Sequence, residues 1–300
     1  MLKRLIQEKY EHPEQQYIQL IKDIQEYGTY EKTRNGKTYS IFGSSMYFSL
    51  ENNNIPILTT KKTAWKTCLK ELLWFIKGKM DNKLLKEDKV NIWNANASRE
   101  FLDSRGLFNR EEDDLGPVYG HQWRFFNAEY KDCNTDYTGK GVDQLQYIID
   151  NLKNSEGKQS RRLVMSAWNP SQLNQMALPP CHILCQFNVT NGDKLSCSLY
   201  QRSGDVGLGV PFNIASYSFL THLLAKHTGL KPYEFFYNLG NCHIYEEHMD
   251  VLKEQVKLQP FEFPKLDILN TYDNINDYTV NDFVLSNYIS HPPIKMNMKA

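Results

Sequence analysis

Apolar positions recur along this chain with two periods, one helical and one strand-like. Tyr17, Ile18, Leu20, Ile21 and Ile24 fall at helical spacing and stop at Gly28, so residues 14–27 are expected as an amphipathic helix closed by glycine. Leu69, Leu72, Leu73 and Ile76 predict a buried helix over 65–76; Val142, Leu145, Ile148, Ile149 and Leu152 predict another before a basic turn at Arg161 and Arg162. The pattern then shortens. Residues 163–168, 182–190 and 194–201 alternate or run apolar as sheet strands do, with Asn191-Gly192 as a hairpin turn between the last two. Residues 40–50 and 234–238 also read as strands, and 214–228 as a strongly apolar helix ending at Gly229. The polar stretch 31–38, with Asn35-Gly36, is loop or hairpin chemistry.

No repeat, low-complexity tract or Pro/Ser-rich linker interrupts this order, so a single α+β domain over 1–300 is expected. Residues 1–16 read as an N-terminal extension, 98–114 as a solvated insertion, and 294–300 as a frayed tail or a closing flap. With 41% hydrophobic and 13% aromatic residues, the 300-residue chain can build a substantial core. Its 35 basic and 35 acidic side chains cancel, which excludes the global basic field that drives non-specific nucleic-acid binding. Charge appears early at the N-terminus and no stretch has the composition of a membrane span, so a cytosolic or nuclear protein is expected. Six cysteines lack Cys-x-x-Cys spacing, and free thiols are the default.

Cys181, in Leu178-Pro179-Pro180-Cys181-His182, sits in a stiff backbone just before a predicted strand. Arg202 ends the strand paired across the Asn191-Gly192 turn, so the register brings a positive charge near the thiol, as an activated cysteine requires. Alone, Cys181 reads first as a small buried hydrophobe, which is how most free cysteines behave. A papain-like hydrolase lacks its local signature, and Cys181, His182 and Cys185 lack the companion pair of a zinc site. His243 and His248 with Glu246 and Glu247 fit neither zinc-protease spacing.

Longer blocks change the weighing. They are Gln201-Arg202-Ser203-Gly204-Asp205-Val206-Gly207-Leu208-Gly209-Val210-Pro211-Phe212-Asn213-Ile214-Ala215-Ser216-Tyr217, Glu71-Leu72-Leu73-Trp74-Phe75, Asp114-Leu115-Gly116-Pro117-Val118-Tyr119-Gly120-His121-Gln122-Trp123-Arg124, Ser160-Arg161-Arg162, Gly240-Asn241-Cys242-His243-Ile244-Tyr245 and His291-Pro292-Pro293-Ile294-Lys295. From about Tyr17 to Ala300 the chain resembles the thymidylate synthase family, its animal form more than its bacterial one.

The resemblance implies a mixed or antiparallel sheet packed by helices, with the sheet at a homodimer interface. It implies transfer of a methylene from 5,10-methylenetetrahydrofolate to C5 of dUMP and its reduction to methyl, giving dTMP and dihydrofolate, with no metal, nicotinamide or flavin. Cys181 would add to C6 of the uracil, making C5 nucleophilic. Arg34, Gln201, Arg202, Ser203 and Asp205 of one subunit, with Arg161 and Arg162 of the other, match the nucleotide and phosphate cradle, and Asp205 also matches a catalytic position. Asn213 matches the uracil reader, with a helix N-cap as its plainer role. His243 and Tyr245 match the pair on the deoxyribose hydroxyl, and Glu71, with Tyr119 and His182, matches the group that manages proton transfers. The folate positions correspond to Ile92, Trp93, Asn96, Leu178, Asp205, Leu208, Gly209, Phe212, Met298 and Ala300, with Lys61 available to a polyglutamate tail.

Three departures stand out. In the stretch Lys32-Thr33-Arg34-Asn35-Gly36-Lys37-Thr38-Tyr39-Ser40 the arginine and the serine stand one residue closer than in the family's phosphate loop, which makes Lys37 a competitor to Arg34. Asn241 replaces the usual aspartate, and Lys299 charges a normally apolar tail. The rival readings are a pyrimidine hydroxymethylase of the same fold and an inactive nucleotide- or RNA-binding regulator.

Overall fold

The computed structural model describes residues 2–33 and 35–299. Helices α1 (Leu2–Lys9) and α2 (Gln15–Tyr27) precede the hairpin of β1 (Thr29–Thr33) and β2 (Gly36–Ser49). Next come α3 (Trp65–Ile76), the short helices α4 (Asn82–Glu87), α5 (Asn94–Ala97), α6 (Arg99–Ser104) and α7 (Tyr119–Phe125), and α8 (Gln144–Lys153). Strands β3 (Val164–Ser166), β4 (His182–Thr190) and β5 (Lys194–Asp205) lead to α9 (Gly209–Thr228), β6 (Lys231–Tyr245), α10 (Met249–Gln255), β7 (Lys265–Ile268) and β8 (Phe283–Ser286).

Among the described residues the strands form a six-stranded sheet, β1-β2-β6-β5-β4-β3, and a two-stranded β7-β8 sheet. In the larger sheet β5 and β6 are parallel and the other neighbours antiparallel, so the domain is α+β with a mixed sheet. Helix α9 is the crossover from β5 to β6. Its residues are apolar nearly all round, and it is buried against α3 and the sheet, as a helix without a polar face must be.

Helices α2, α3, α8 and α9 and the hairpin strands β4 and β5 follow the apolar periodicity closely. Several differences lie beside the cavity described below. Strand β6 runs from Lys231 to Tyr245, well beyond 234–238, because it lies between β2 and β5 and finds backbone partners on both sides. Its polar residues break the alternation that would have marked it. Helix α9 begins at Gly209, not at Ile214; Pro211 fits its first turn, where no intrahelical N–H is needed. Asn213 therefore lies inside the helix, not at its cap. The polar stretch 31–38 is a tight hairpin closed by the Thr33↔Gly36 pair. Within 98–114, Leu102, Asp113 and Asp114 are buried, and Arg110 pairs with Asp114.

The start of α2 is fastened by polar groups. The buried Glu14 carboxylate accepts from the backbone N–H and hydroxyl of Thr59 (2.8 and 2.6 Å) and from those of Thr60 (2.8 and 2.6 Å). Gln16 exchanges two hydrogen bonds with the Tyr47 backbone (2.7 and 2.8 Å), and the Tyr17 hydroxyl donates to the Val206 carbonyl (2.9 Å). Glu14→Ala strands four buried donors, so a loss of roughly 3 to 5 kcal/mol is expected. A urea titration against wild type measures it; an unchanged midpoint would show that the cluster contributes nothing.

Candidate active site

Cys181 lies immediately before β4, where three groups hold its backbone and thiol. Its N–H donates to the Tyr119 hydroxyl (2.7 Å), and its carbonyl accepts from the Arg202 N–H (2.9 Å). The Arg202 guanidinium donates to the carbonyls of Pro180 (2.7 Å) and Pro179 (3.1 Å), and its Nη2 lies 3.9 Å from the Cys181 Sγ. The two prolines thus act through their carbonyls, which orient the arginine. Trp168, of which the sequence pattern gave no sign, backs the guanidinium at 5.6 Å. Burial pushes the half-buried Cys181 thiol up, and the Arg202 charge pulls it down by less.

Cys181, Arg202, Ser203, Asp205, His243, Tyr245 and Leu178 line one cavity of about 460 Å³ with Glu31, Thr33, Asn35, Thr38, Asn241 and Lys299. The β2-β6-β5 ladder assembles this wall: Tyr245 pairs with Thr38, and His243 with Ser40 and Asp205. Thr38 was hidden in a polar segment without periodicity, and only the register reveals it. Arg34 lies outside the described residues, although Thr33 and Asn35 line the cavity. Lys37 pairs with Glu246 (3.3 Å) beside the cavity. Gln201 is buried, accepting from the Tyr237 hydroxyl (2.7 Å) and donating to the Ser203 carbonyl (2.9 Å), so it acts on the wall from behind.

A second group of side chains lies behind the cysteine. The Tyr119 and His182 rings stack at 4.0 Å, and His182 Nδ1 is 2.7 Å from the Tyr217 hydroxyl. Burial lowers the His182 pKa to about 3, so the ring is neutral at physiological pH. Glu71, on α3, accepts from the Trp93 indole N–H (2.7 Å). Burial raises its pKa to about 7, with the indole bond opposing that shift. Of Glu71, Tyr119 and His182, only Glu71 titrates near neutrality.

Ile92, Leu208 and Phe212 are half-buried, Trp93 is buried, and the amide nitrogen of the buried Asn96 has no hydrogen-bond partner among the described residues. None of these five is among the described residues that line the Cys181 cavity. Asp205 Oδ1 accepts from the N–H groups of Gly207 (2.9 Å) and Leu208 (3.4 Å), fixing the turn into α9 at Gly209. Lys61 is buried and donates to the Gly207 carbonyl, so it does not reach outward towards a long anionic tail. Burial lowers its pKa to about 8, with Asp205 and Glu14 opposing.

The C-terminal segment crosses the same end of the molecule. His248 Nε2 lies 3.0 Å from the Asn297 carbonyl, Lys299 pairs with Glu247 (2.8 Å), and Met296 packs so closely on Gly207 that a Cβ there would sit 3.1 Å from its sulfur. Met298 is exposed, and Ala300 lies outside the described residues. Arg161 and Arg162 are exposed in the turn before β3, where the Arg161 carbonyl accepts from Gln186 (3.2 Å). Gln186 is five residues along β4 from Cys181, roughly 16 Å of strand, so within one chain these arginines stay outside the cavity.

The family model described as thymidylate synthase matches residues 15–300. The human thymidylate synthase is 53% identical over 288 residues, covering 96% of this chain and 91% of the relative. The enzyme of human herpesvirus 8 is 51% identical, covering 96% and 84%. The Encephalitozoon cuniculi protein named thymidylate synthase 1/2 is 50% identical, covering 96% and 98%. With its cysteine, arginine and buried glutamate set in this arrangement, and with half its residues shared with such relatives over nearly its full length, the chain belongs to the thymidylate synthase family.

Proposed function

We propose that Cys181 is the nucleophile that adds to C6 of dUMP, in a site completed by a second copy of the chain. The activity itself is that of the family: a methyltransferase reaction that converts dUMP to dTMP. 5,10-Methylenetetrahydrofolate is the co-substrate, supplying both the methylene and the hydride and leaving as dihydrofolate. The three relatives carry the name of the methylating enzyme, and neither the hydroxymethylase nor the inactive regulator is favoured.

The observation that carries this reading is the 3.9 Å approach of Arg202 to Cys181 in a cavity that also holds Ser203, Asp205, His243 and Tyr245. An unperturbed cysteine is mostly thiol at pH 7, and burial makes this one more so. The Arg202 guanidinium stabilises the thiolate in the attacking state. It also presents planar donors to the nucleotide phosphate, which Ser203 and Arg34 share. Asn213, one turn into α9, offers an amide that both donates and accepts towards the uracil edge. His243 and Tyr245 take the sugar hydroxyl. Glu71, poised near pH 7, moves protons to and from the base through water, with the neutral His182 and Tyr119 ordering the path. The apolar surface of Ile92, Trp93, Leu208 and Phe212 holds the folate rings, with Asn96 and Asp205 as polar partners. The tail, fixed by Glu247 and His248, excludes water from the reacting centre.

Two observations favour a homodimer. Arg161 and Arg162 are exposed and lie outside their own chain's cavity, and among the described residues one sheet face is left open across a row of register partners. Leu184, Tyr200, Asn238 and Ser45 lie side by side on β4, β5, β6 and β2, with Leu184 38% and Tyr200 40% exposed. An open sheet face with exposed apolar side chains such as Leu184 and Tyr200 is a natural place for self-association.

Cys181→Ala is expected to form no dihydrofolate while still binding dUMP in calorimetry; retained turnover would remove the nucleophile. Mixing Cys181→Ala with Arg161→Ala protein after partial unfolding and refolding is expected to restore activity that neither variant shows alone. Absence of recovery in confirmed mixed dimers would sink the shared site. Glu71→Gln is expected to lower kcat by roughly 10²- to 10⁴-fold. Its folded-state pKa lies above the unfolded value, so the stability linked to Glu71 is full below about pH 4 and is lost as pH rises through 7. The glutamine variant should therefore exceed wild type in stability at pH 8, by on the order of 3 kcal/mol, with the gap closing below pH 5. Melting curves across that range check the sign, and a gap that widens towards acid pH would contradict it.

A further inference from the structure

His243 is held in the cavity wall by a neighbour from its own strand. Its Nδ1 lies 3.0 Å from Oδ1 of Asn241, two residues earlier on β6, and both side chains line the cavity containing Cys181. An amide oxygen can only accept, so this contact places the imidazole proton on Nδ1. In a neutral ring, Nε2 is then a bare acceptor. Burial holds the His243 pKa below its ordinary value against the nearby Asp205 carboxylate, which is the direction that keeps the ring neutral.

The backbone fixes Asn241 as firmly as the amide fixes the ring. It sits on the strand between β2 and β5, with Phe42 and Ser203 as its register partners. Gly240, just before it, passes so close to β5 that a Cβ would lie 2.7 Å from the Arg202 carbonyl oxygen. The Asn241 position is therefore tied to the same strand that carries Arg202.

We infer that Asn241 is a positioning residue for nucleotide recognition: its amide oxygen fixes the plane and tautomer of His243, so that Nε2 meets the ligand as an acceptor for a sugar hydroxyl. This rests on the reading of His243 as the sugar-binding residue. The usual aspartate at this position would accept the same Nδ1–H but would also favour the imidazolium, whose Nε2 donates. The asparagine gives the orientation without that charge, and the hydroxyl is bound as a donor.

The test pairs substitutions with a change in the ligand. Dissociation constants for dUMP and for its analogue lacking the 3′-hydroxyl are measured on wild type, Asn241→Ala, Asn241→Asp and His243→Ala, with KM and kcat followed for dUMP. Asn241→Ala is expected to weaken dUMP binding roughly three- to tenfold, the loss of one oriented hydrogen bond. KM should rise in step and kcat should change less. The analogue should bind the alanine variant and wild type within about twofold of each other, and Asn241→Asp should recover most of the dUMP affinity at pH 8. Equal losses for both ligands, or no loss for either, would overturn the proposal. If His243→Ala leaves dUMP binding unchanged, the sugar-site reading itself fails; if it weakens dUMP binding and Asn241→Ala does not, the role of Asn241 alone is overturned.

Discussion

The hydrogen bond from the Arg202 N–H to the Cys181 carbonyl, at 2.9 Å, joins the two halves of the site. It extends the β4-β5 ladder past a bulge between His182 and Leu184, and sets the cysteine and the arginine side by side. Everything else in the cavity is placed relative to that pair. Strand β5 carries on to Ser203 and Asp205, β6 runs parallel to it and contributes Asn241 and His243, and Tyr119 holds the cysteine from the other side. A slip of one residue in this ladder would turn Arg202 to the opposite face of the sheet.

The site is built from groups whose burial is unfavourable in isolation. Glu71, His182 and Lys61 are all held away from water, and in each the pKa moves towards the neutral form. Each also has a specific partner: the Trp93 indole, the Tyr217 hydroxyl and the Gly207 carbonyl. Burial of this kind gives up some stability, and it leaves Glu71 titrating near neutrality while His182 stays neutral. The fully bonded Glu14 at the start of α2 shows the contrasting use, a buried carboxylate whose four bonds hold the scaffold together.

Helix α9 links these two economies. It is buried because it has no polar face, and it runs from the Asp205 turn to Gly229, so its first turn is fixed at the cavity while its body is fixed in the core. Phe212 and Asn213 are presented from a rigid element for that reason. The tail contacts at Gly207, Glu247 and His248 gather at the same end of the molecule. Phe212, Asn213 and the tail contacts therefore share one structural support.

Periodicity alone determined α2, α3, α8, the body of α9 and the β4-β5 hairpin, because in these elements burial follows a regular repeat and turns carry glycine. The long motifs determined the family. Neither could show that β6 extends to Tyr245, since the polar residues that serve the cavity erase the alternation, nor that Asn213 lies within a helix begun by Gly209. Lys61 was legible only as a cation; its burial against Gly207 depends on a loop 146 residues away in sequence. The same holds for Trp168 behind Arg202 and for Asn241 beside His243. These assignments come from register and packing between distant segments, which local sequence does not encode, and tertiary structure alone decides them.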